Sequence, residues 1–363
     1  MHIGIDTFVS AVTDPDTGRT VSPADRVADL LTEVQRADEV GLDNFGIGEH
    51  HRSEYYDSAP PVLLAAAAAR TSRIRLHSAV TVLSAADPVR VFQEFATIDL
   101  VSRGRAEMVV GRGSFTEAFP LFGLELRDYD SLFAEKLDLL LELRESTQVH
   151  WAGRHRPALT GQGVYPRPHQ ERMPIWLGVG GTPESFVRAG TLGLPLMIAI
   201  IGGDVRRFRP LVDHYREAGR LAGHPPESLK VGLHVFGFVG DTDQQAADDF
   251  YPGWAQSFTK IGRERGFSAP NREQYDHMLR PEGAFFIGAP DTVAAKFLLA
   301  RESLGGVDRI SLQMTNDRVS HRNLVHSIEL LGTEVAPVVR AATGVTGPGS
   351  QDHGDEDRRT PIA

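Results

Sequence analysis

Eight times along this chain, a short apolar run gives way to a stretch whose apolar residues recur at helical spacing. The apolar runs are Ile3–Phe8, Leu42–Gly48, Ile74–Leu83, Ala106–Val110, Pro174–Val179, Leu196–Ile201, Lys230–Val239 and Arg309–Met314. Ser22 is placed to cap the first helix with Pro23 at its first position, and Gly41 closes it. Pro60, Pro88 and Pro183 open later helices in the same way. Parallel strands need crossovers of this kind, and strands covered on both faces read as near-continuous apolar runs. Eight strand-then-helix units predict a closed (β/α)8 TIM barrel rather than an open doubly wound sheet. Two segments break the alternation, Thr147–Arg172 and Asp241–Arg280. Both are expected to be insertions in loops over the C-terminal face of an α/β barrel. One domain is expected over residues 1–340, with a disordered tail over 341–363, which is small, polar and charged.

Composition narrows the function classes. The 363 residues carry a net charge of −10, which argues against nucleic-acid and anionic-membrane partners. No apolar run approaches the length of a membrane span. MHIGIDTFVS enters a strand at once and has no secretory pattern. There is no cysteine, so disulfides, thiolate catalysis and cysteine-bound metal are out. The expectation is a cytoplasmic enzyme.

In a barrel, chemistry belongs at the C-terminal ends of the strands. The second strand there runs into NFGIGEHHR, placing Glu49, His50, His51 and Arg52 at that face. Adjacent histidines on extended chain point to opposite sides, so they are poorly placed for a shared metal, and no metal site is expected. One imidazole with an acid beside it suits acid/base work. The same polar groups would also serve simply to solvate a loop. The fourth strand ends in Gly111-Arg112-Gly113, where glycine permits close backbone approach and arginine offers a fork for phosphate. An ordinary turn would read the same way. The fifth ends in Gly180-Gly181-Thr182-Pro183, a glycine loop before a helix N-terminus, which is either an anion site or a tight turn. Ser78, Ala79 and Thr81 put small side chains in the third strand, leaving room for a flat ligand or for tight packing.

These pieces, in this order, resemble the bacterial luciferase-like flavin-dependent monooxygenases. The matching stretches are GLDNFGIGEHH, SAPPVLLAAAAARTSRIRLHSAVTVLSAADPVRVFQEFATIDLVSRGRAEMVVGRGSF and MPIWLGVGGTPESFVRAGTLGLPLMIA, and they span most of the chain. A poorly characterised subgroup carries GEHHR, GRGSF, GQGVYPRP and VGGTPES together. The resemblance implies a (β/α)8 barrel, often a dimer, that binds FMN at the C-terminal face. It assigns His50 as the catalytic histidine, with Glu49 and His51 supporting and Glu49 expected to orient His50. It assigns the cofactor to Ser78, Ala79, Val80, Arg112, Gly113, Gly180, Gly181 and Thr182. Arg112 takes the phosphate, and the Ala79-Val80 bond is expected to be a cis peptide beneath the flavin ring. The family's cysteine before the arginine is Gly111 here, and a glutamate and serine of its phosphate loop are replaced by glycine.

The implied reaction oxygenates a small organic substrate through a flavin (hydro)peroxide, with reduced FMN and dioxygen as co-substrates. No nicotinamide fingerprint is present, so a separate NAD(P)H-dependent flavin reductase is expected as partner, and a homodimer as the assembly. Two alternatives stand beside it: a deazaflavin-dependent oxidoreductase that transfers hydride, and a non-catalytic flavin-binding barrel. The aromatics Tyr165, Tyr251, Trp254 and Phe258 are candidates for a substrate pocket.

Overall fold

In a computed structural model, residues 1–15 and 17–344 are described. Most of the expected tail, from 345 onward, lies outside them. Its first residues close a helix, Ala336–Thr343.

Eight parallel strands close on themselves: β1 (His2–Thr7), β2 (Asn44–Ile47), β3 (Arg75–Ser78), β4 (Ala106–Gly111), β5 (Ile175–Val179), β6 (Leu196–Ile200), β7 (Val231–Val239) and β8 (Arg309–Gln313). Each pairs with the next, and β8 returns to β1 with Asp6 beside Gln313. Helices cover the outside, and the expected (β/α)8 barrel is the architecture found. Ser22 caps the first helix, Pro23–Glu39, by accepting the Asp25 N–H at 3.2 Å. Among the described residues no helix is long and apolar enough to cross a membrane.

The third strand is not the single run that its apolar pattern predicts. It stops at Ser78, and the chain passes through a cis Ala79-Val80 bond and resumes as Thr81–Val82 along the end of β4. The cis bond is where the resemblance places it.

The barrel interior is polar. Glu107 meets Arg309 at 2.7 Å near the strand starts, and Arg309 lies over the Trp176 ring. Above them, Asn44 Nδ2 donates to Ser311 Oγ at 2.8 Å. Burying these charges is tolerable because each has a partner.

One insertion is not where its sequence suggests. Residues 147–172 form an antiparallel hairpin, Gln148–Trp151 with Leu159–Gly163. The hairpin joins the helix Tyr129–Glu145 to β5, so the connection starts on the opposite face of the barrel. It lies against the outer helices: Arg167 covers the Phe92 ring and Gln93 binds the Tyr165 carbonyl. Tyr165 is exposed. The other insertion follows β7 and does roof the C-terminal face, as the helices Asp243–Arg265 and Arg272–Leu279. A short strand after it, Phe286–Gly288, pairs with the end of β7.

Candidate active site

A cavity of about 840 Å³ opens at the C-terminal face. That lies in the upper part of the range for small-molecule sites. It is lined by the ends of the barrel strands and by the roof helix Asp243–Arg265.

The β2 end reaches it by way of two glycines. A Cβ on Gly46 would stand 2.2 Å from Asp6 Oδ1 and 2.4 Å from His77. A Cβ on Gly48 would stand 2.6 Å from Phe8 and 2.9 Å from Asp57 Oδ2. Hydrogen at these two positions is what lets side chains from neighbouring strands close over β2. His50 follows directly, buried, with Nδ1 2.8 Å from Asp57 Oδ2. Its backbone N–H donates to the other Asp57 oxygen at 3.1 Å. Burial pushes the Asp57 carboxyl above its usual pKa, although the bond to His50 works the other way. The expected Glu49–His50 pair is not formed. On extended chain the two side chains diverge, and Glu49 instead faces His51 Nε2 at 3.2 Å and accepts the Val82 N–H at 2.8 Å. Asp57 carries no motif of its own, and it lies seven positions along the chain from His50.

Arg52, next in the stretch, points away from the chemistry. It contacts Glu54, Glu117 and Glu264, and its guanidinium lies over Phe115. Arg265 donates to the Ser114 carbonyl at 2.8 Å. Together they fasten the roof helix to the loop after β4.

Arg112 reaches Ser185 Oγ at 3.4 Å and Asp130 at 2.6 Å, with the Tyr129 ring beneath it. Ser185 lies in the first turn of the helix Pro183–Thr191. Thr182 stands at its N-cap position without a side-chain capping bond, and its carbonyl accepts the Ser185 N–H at 3.0 Å. Gly180 and Gly181 face open space where a side chain would project. A guanidinium beside an open glycine loop at a helix N-terminus is an arrangement suited to an anion such as phosphate.

Ala79 and Val80 line the cavity as expected, and Val80 packs with Val109, Trp176 and Met197 into a small apolar floor. A Cβ on Gly111 would lie 2.9 Å from Val80 Cγ2, and one on Gly178 2.8 Å from Cγ1. Glycine at 111, where the resembled family has cysteine, is therefore the residue that fits Val80. Gly113 lines the cavity too. Ser78 does not. Its hydroxyl is fully buried and bridges the Val109 carbonyl and N–H at 2.9 and 3.2 Å, tying β3 to β4.

Two groups that the motifs did not signal stand on the floor. His77 donates Nδ1–H to the Ser78 carbonyl at 2.9 Å, and burial lowers its pKa. His234 Nδ1 lies 2.6 Å from Asp6 Oδ2. Of the four aromatic candidates, Trp254 and Phe258 line the cavity, joined by Phe236, Phe250 and Phe267. Tyr251 packs beside Trp254 and Tyr275, outside the lining.

Comparison with known proteins decides the family. A family model described as luciferase-like monooxygenase matches residues 2–307. The chain belongs to the luciferase-like monooxygenase family. An uncharacterised protein of Sinorhizobium fredii is 33% identical over 241 residues, covering 65% of this chain and 69% of its own. Among solved structures, monooxygenase RslO1 from Streptomyces bottropensis superposes with a TM-score of 0.80 at 23% identity, covering 93% of this chain and 99% of its own. The oxygenating component of 3,6-diketocamphane monooxygenase from Pseudomonas putida, a type II Baeyer–Villiger enzyme in complex with FMN, does so with a TM-score of 0.72 at 20% identity, covering 93% and 98%. An F420-dependent secondary alcohol dehydrogenase does so at 0.70 and 19% identity, covering 93% and 99%. At these identities the structures share the fold. Structures of this fold thus include one in complex with FMN and one described as F420-dependent.

Proposed function

We propose that this luciferase-like protein is an FMN-dependent monooxygenase that takes reduced FMN from a separate NAD(P)H-dependent reductase and oxygenates a small organic molecule with dioxygen. One observation carries the reading: Arg112, which reaches Ser185, and the Gly180–Thr182 loop line the same cavity as His50, whose ring is held by Asp57. In this reading Val80, Val109 and Met197 give the flat ring an apolar seat.

Reduced FMN, when bound, would supply the electrons that split dioxygen into one oxygen atom for the substrate and one for water. The chain's own residues do the rest. Arg112 and the Gly180–Thr182 loop cradle the phosphate. His50, aimed by Asp57, holds or moves a proton at Nε2, the ring nitrogen left after Nδ1 binds Asp57. The aromatic roof keeps water from the reacting atoms. The paired His50 and Asp57 weigh against a merely flavin-binding barrel, which needs no oriented imidazole.

The test mixes the protein with photoreduced FMN in aerated buffer and follows the flavin spectrum. The expected result is reoxidation slower than that of free reduced FMN, with slowing that depends on His50. Tight binding of coenzyme F420 with no binding of FMN would replace this reading with hydride transfer.

A further inference from the structure

The cavity holds two histidine–aspartate pairs, one on each side of Phe8. The Phe8 ring centroid lies 4.5 Å from that of His50 and 5.7 Å from that of His234, nearly parallel to the latter. His50 comes from the loop after β2 and is held by Asp57; His234 comes from β7 and is held by Asp6 on β1. The function proposed above uses only the first pair.

The second pair has a defined proton arrangement. Asp6 is fully buried, and burial opposes its ionisation. The hydrogen bond from His234 and the nearby His77 outweigh that, and the carboxyl lies below its usual range. A carboxylate only accepts, so His234 Nδ1 carries the hydrogen. In the neutral ring Nε2 is then a lone-pair acceptor, and it has no hydrogen-bond partner among the described residues. The other group facing Asp6 is His77, at 3.4 Å, whose own hydrogen is committed to the Ser78 carbonyl. His77 therefore does not compete for the Nδ1–H of His234.

What stands near this acceptor is aromatic. Phe236 lies two residues further along the same strand and faces Phe250, Phe258 and Phe285 at 5.4–6.2 Å. Trp254 and Phe258 extend the wall. Aromatic rings in such walls favour a flat ring, held by offset or edge contacts. A flat ring matched to this acceptor bears a donor, and an aromatic O–H is a donor that can also give up its proton to an imidazole.

We propose that the substrate is a phenol, and that His234 Nε2 receives its hydroxyl proton while Asp6 holds the imidazolium that results. The step is a proton transfer: the O–H bond breaks, an N–H bond forms, and the electron pair stays on the phenolate oxygen. A phenol titrates near 10, a few units above the ordinary range of an imidazole. An aliphatic hydroxyl is far outside that reach. The resulting phenolate ring is electron-rich, the form that accepts an electrophilic oxygen. This step rests on the monooxygenase reading for its purpose, but not for its measurement.

The test uses 4-nitrophenol, whose phenolate is coloured, with the whole chain and no flavin. Binding is followed by the phenolate band in a buffer acidic enough to keep the free probe as phenol. The wild-type protein is expected to bind the probe and develop the phenolate band. His234→Asn keeps an amide toward Asp6 and removes Nε2. It is expected to weaken binding about tenfold, the value of one hydrogen bond of about 1.4 kcal/mol, and to lose the band. Asp6→Asn, which retains His234, is expected to lose the band as well. His50→Asn is expected to keep it. Unfolding temperature checks that each variant is folded, and His234→Gln replaces any that is not. No probe binding, or a band that persists in His234→Asn or follows His50 instead, overturns the proposal. FMN affinity, measured separately by fluorescence quenching, reports on the monooxygenase reading, so the two fail independently.

Discussion

Asp57 holds His50 at two points, with one carboxylate oxygen 2.8 Å from Nδ1 and the other accepting the His50 backbone N–H at 3.1 Å. The backbone contact fixes where the ring starts, and the Nδ1 contact fixes how it is turned. Asp57→Asn is expected to slow turnover about 100-fold, within the range of general acid/base effects, and to leave FMN binding unchanged. Burial raises the Asp57 pKa above its unfolded value of about 3.9. The folded chain therefore holds that proton more tightly, and its stability falls as pH rises through the folded value. Denaturant melts across pH should show that slope in the wild type and lose it in Asp57→Asn.

Arg112 is expected to recognise the phosphate rather than the ring. Arg112→Ala should weaken FMN binding about 10- to 100-fold, since hydrogen bonds to charged groups contribute about 1.5–3 kcal/mol. Riboflavin, which lacks the phosphate, should bind the two proteins alike. Fluorescence quenching titrations with both ligands make the comparison, and an equal loss for riboflavin would remove Arg112 from the cradle.

Gly178 and Gly111 are expected to tolerate a methyl group only if Val80 is trimmed. Gly178→Ala places a Cβ 2.8 Å from Val80 Cγ1 and should cost about 1–3 kcal/mol, the usual range for overpacking. Adding Val80→Ala should recover most of it. Urea unfolding of the two single variants and the double variant measures the coupling; additivity would mean the valine is not what the glycine makes room for.

Glu107 anchors the lower barrel against Arg309. Burial raises its pKa, but Arg309 and Arg75 more than reverse this and hold the carboxyl at about 2. Its contribution is therefore complete above the unfolded value of about 4.3 and fades as pH falls toward the folded one. Glu107→Gln, by leaving Arg309 buried without its partner, should destabilise by about 3–5 kcal/mol at neutral pH. The gap from wild type should close between those two pH values.

The barrel was legible because period and punctuation agreed: Ser22-Pro23, Pro88 and Pro183 mark helix starts in both sequence and structure. Arg112 and the Gly180–Thr182 loop were legible as residues of the cavity because each is a short contiguous stretch at a strand end. His50 was marked by its neighbours, but its partner was not. Adjacency suggested Glu49, whereas extended geometry sends that side chain to His51 and leaves the role to Asp57. Asp6, His77 and His234 were invisible for a related reason. They lie on three strands far apart in sequence and inside apolar runs, and only barrel closure brings them together. Ser78 read as a ligand contact because a small polar residue in a strand looks alike whether it faces a cavity or a neighbouring backbone. The hairpin 147–172 was misplaced because sequence length does not show which face a loop leaves from; its position after a helix does.

The roof over the cavity is carried by one uninterrupted stretch of chain, Asp243–Arg265, while the phosphate cradle and the floor belong to barrel strands and their loops. Substitutions along that one helix would therefore reshape the space above the floor while leaving the strands that form the floor unchanged.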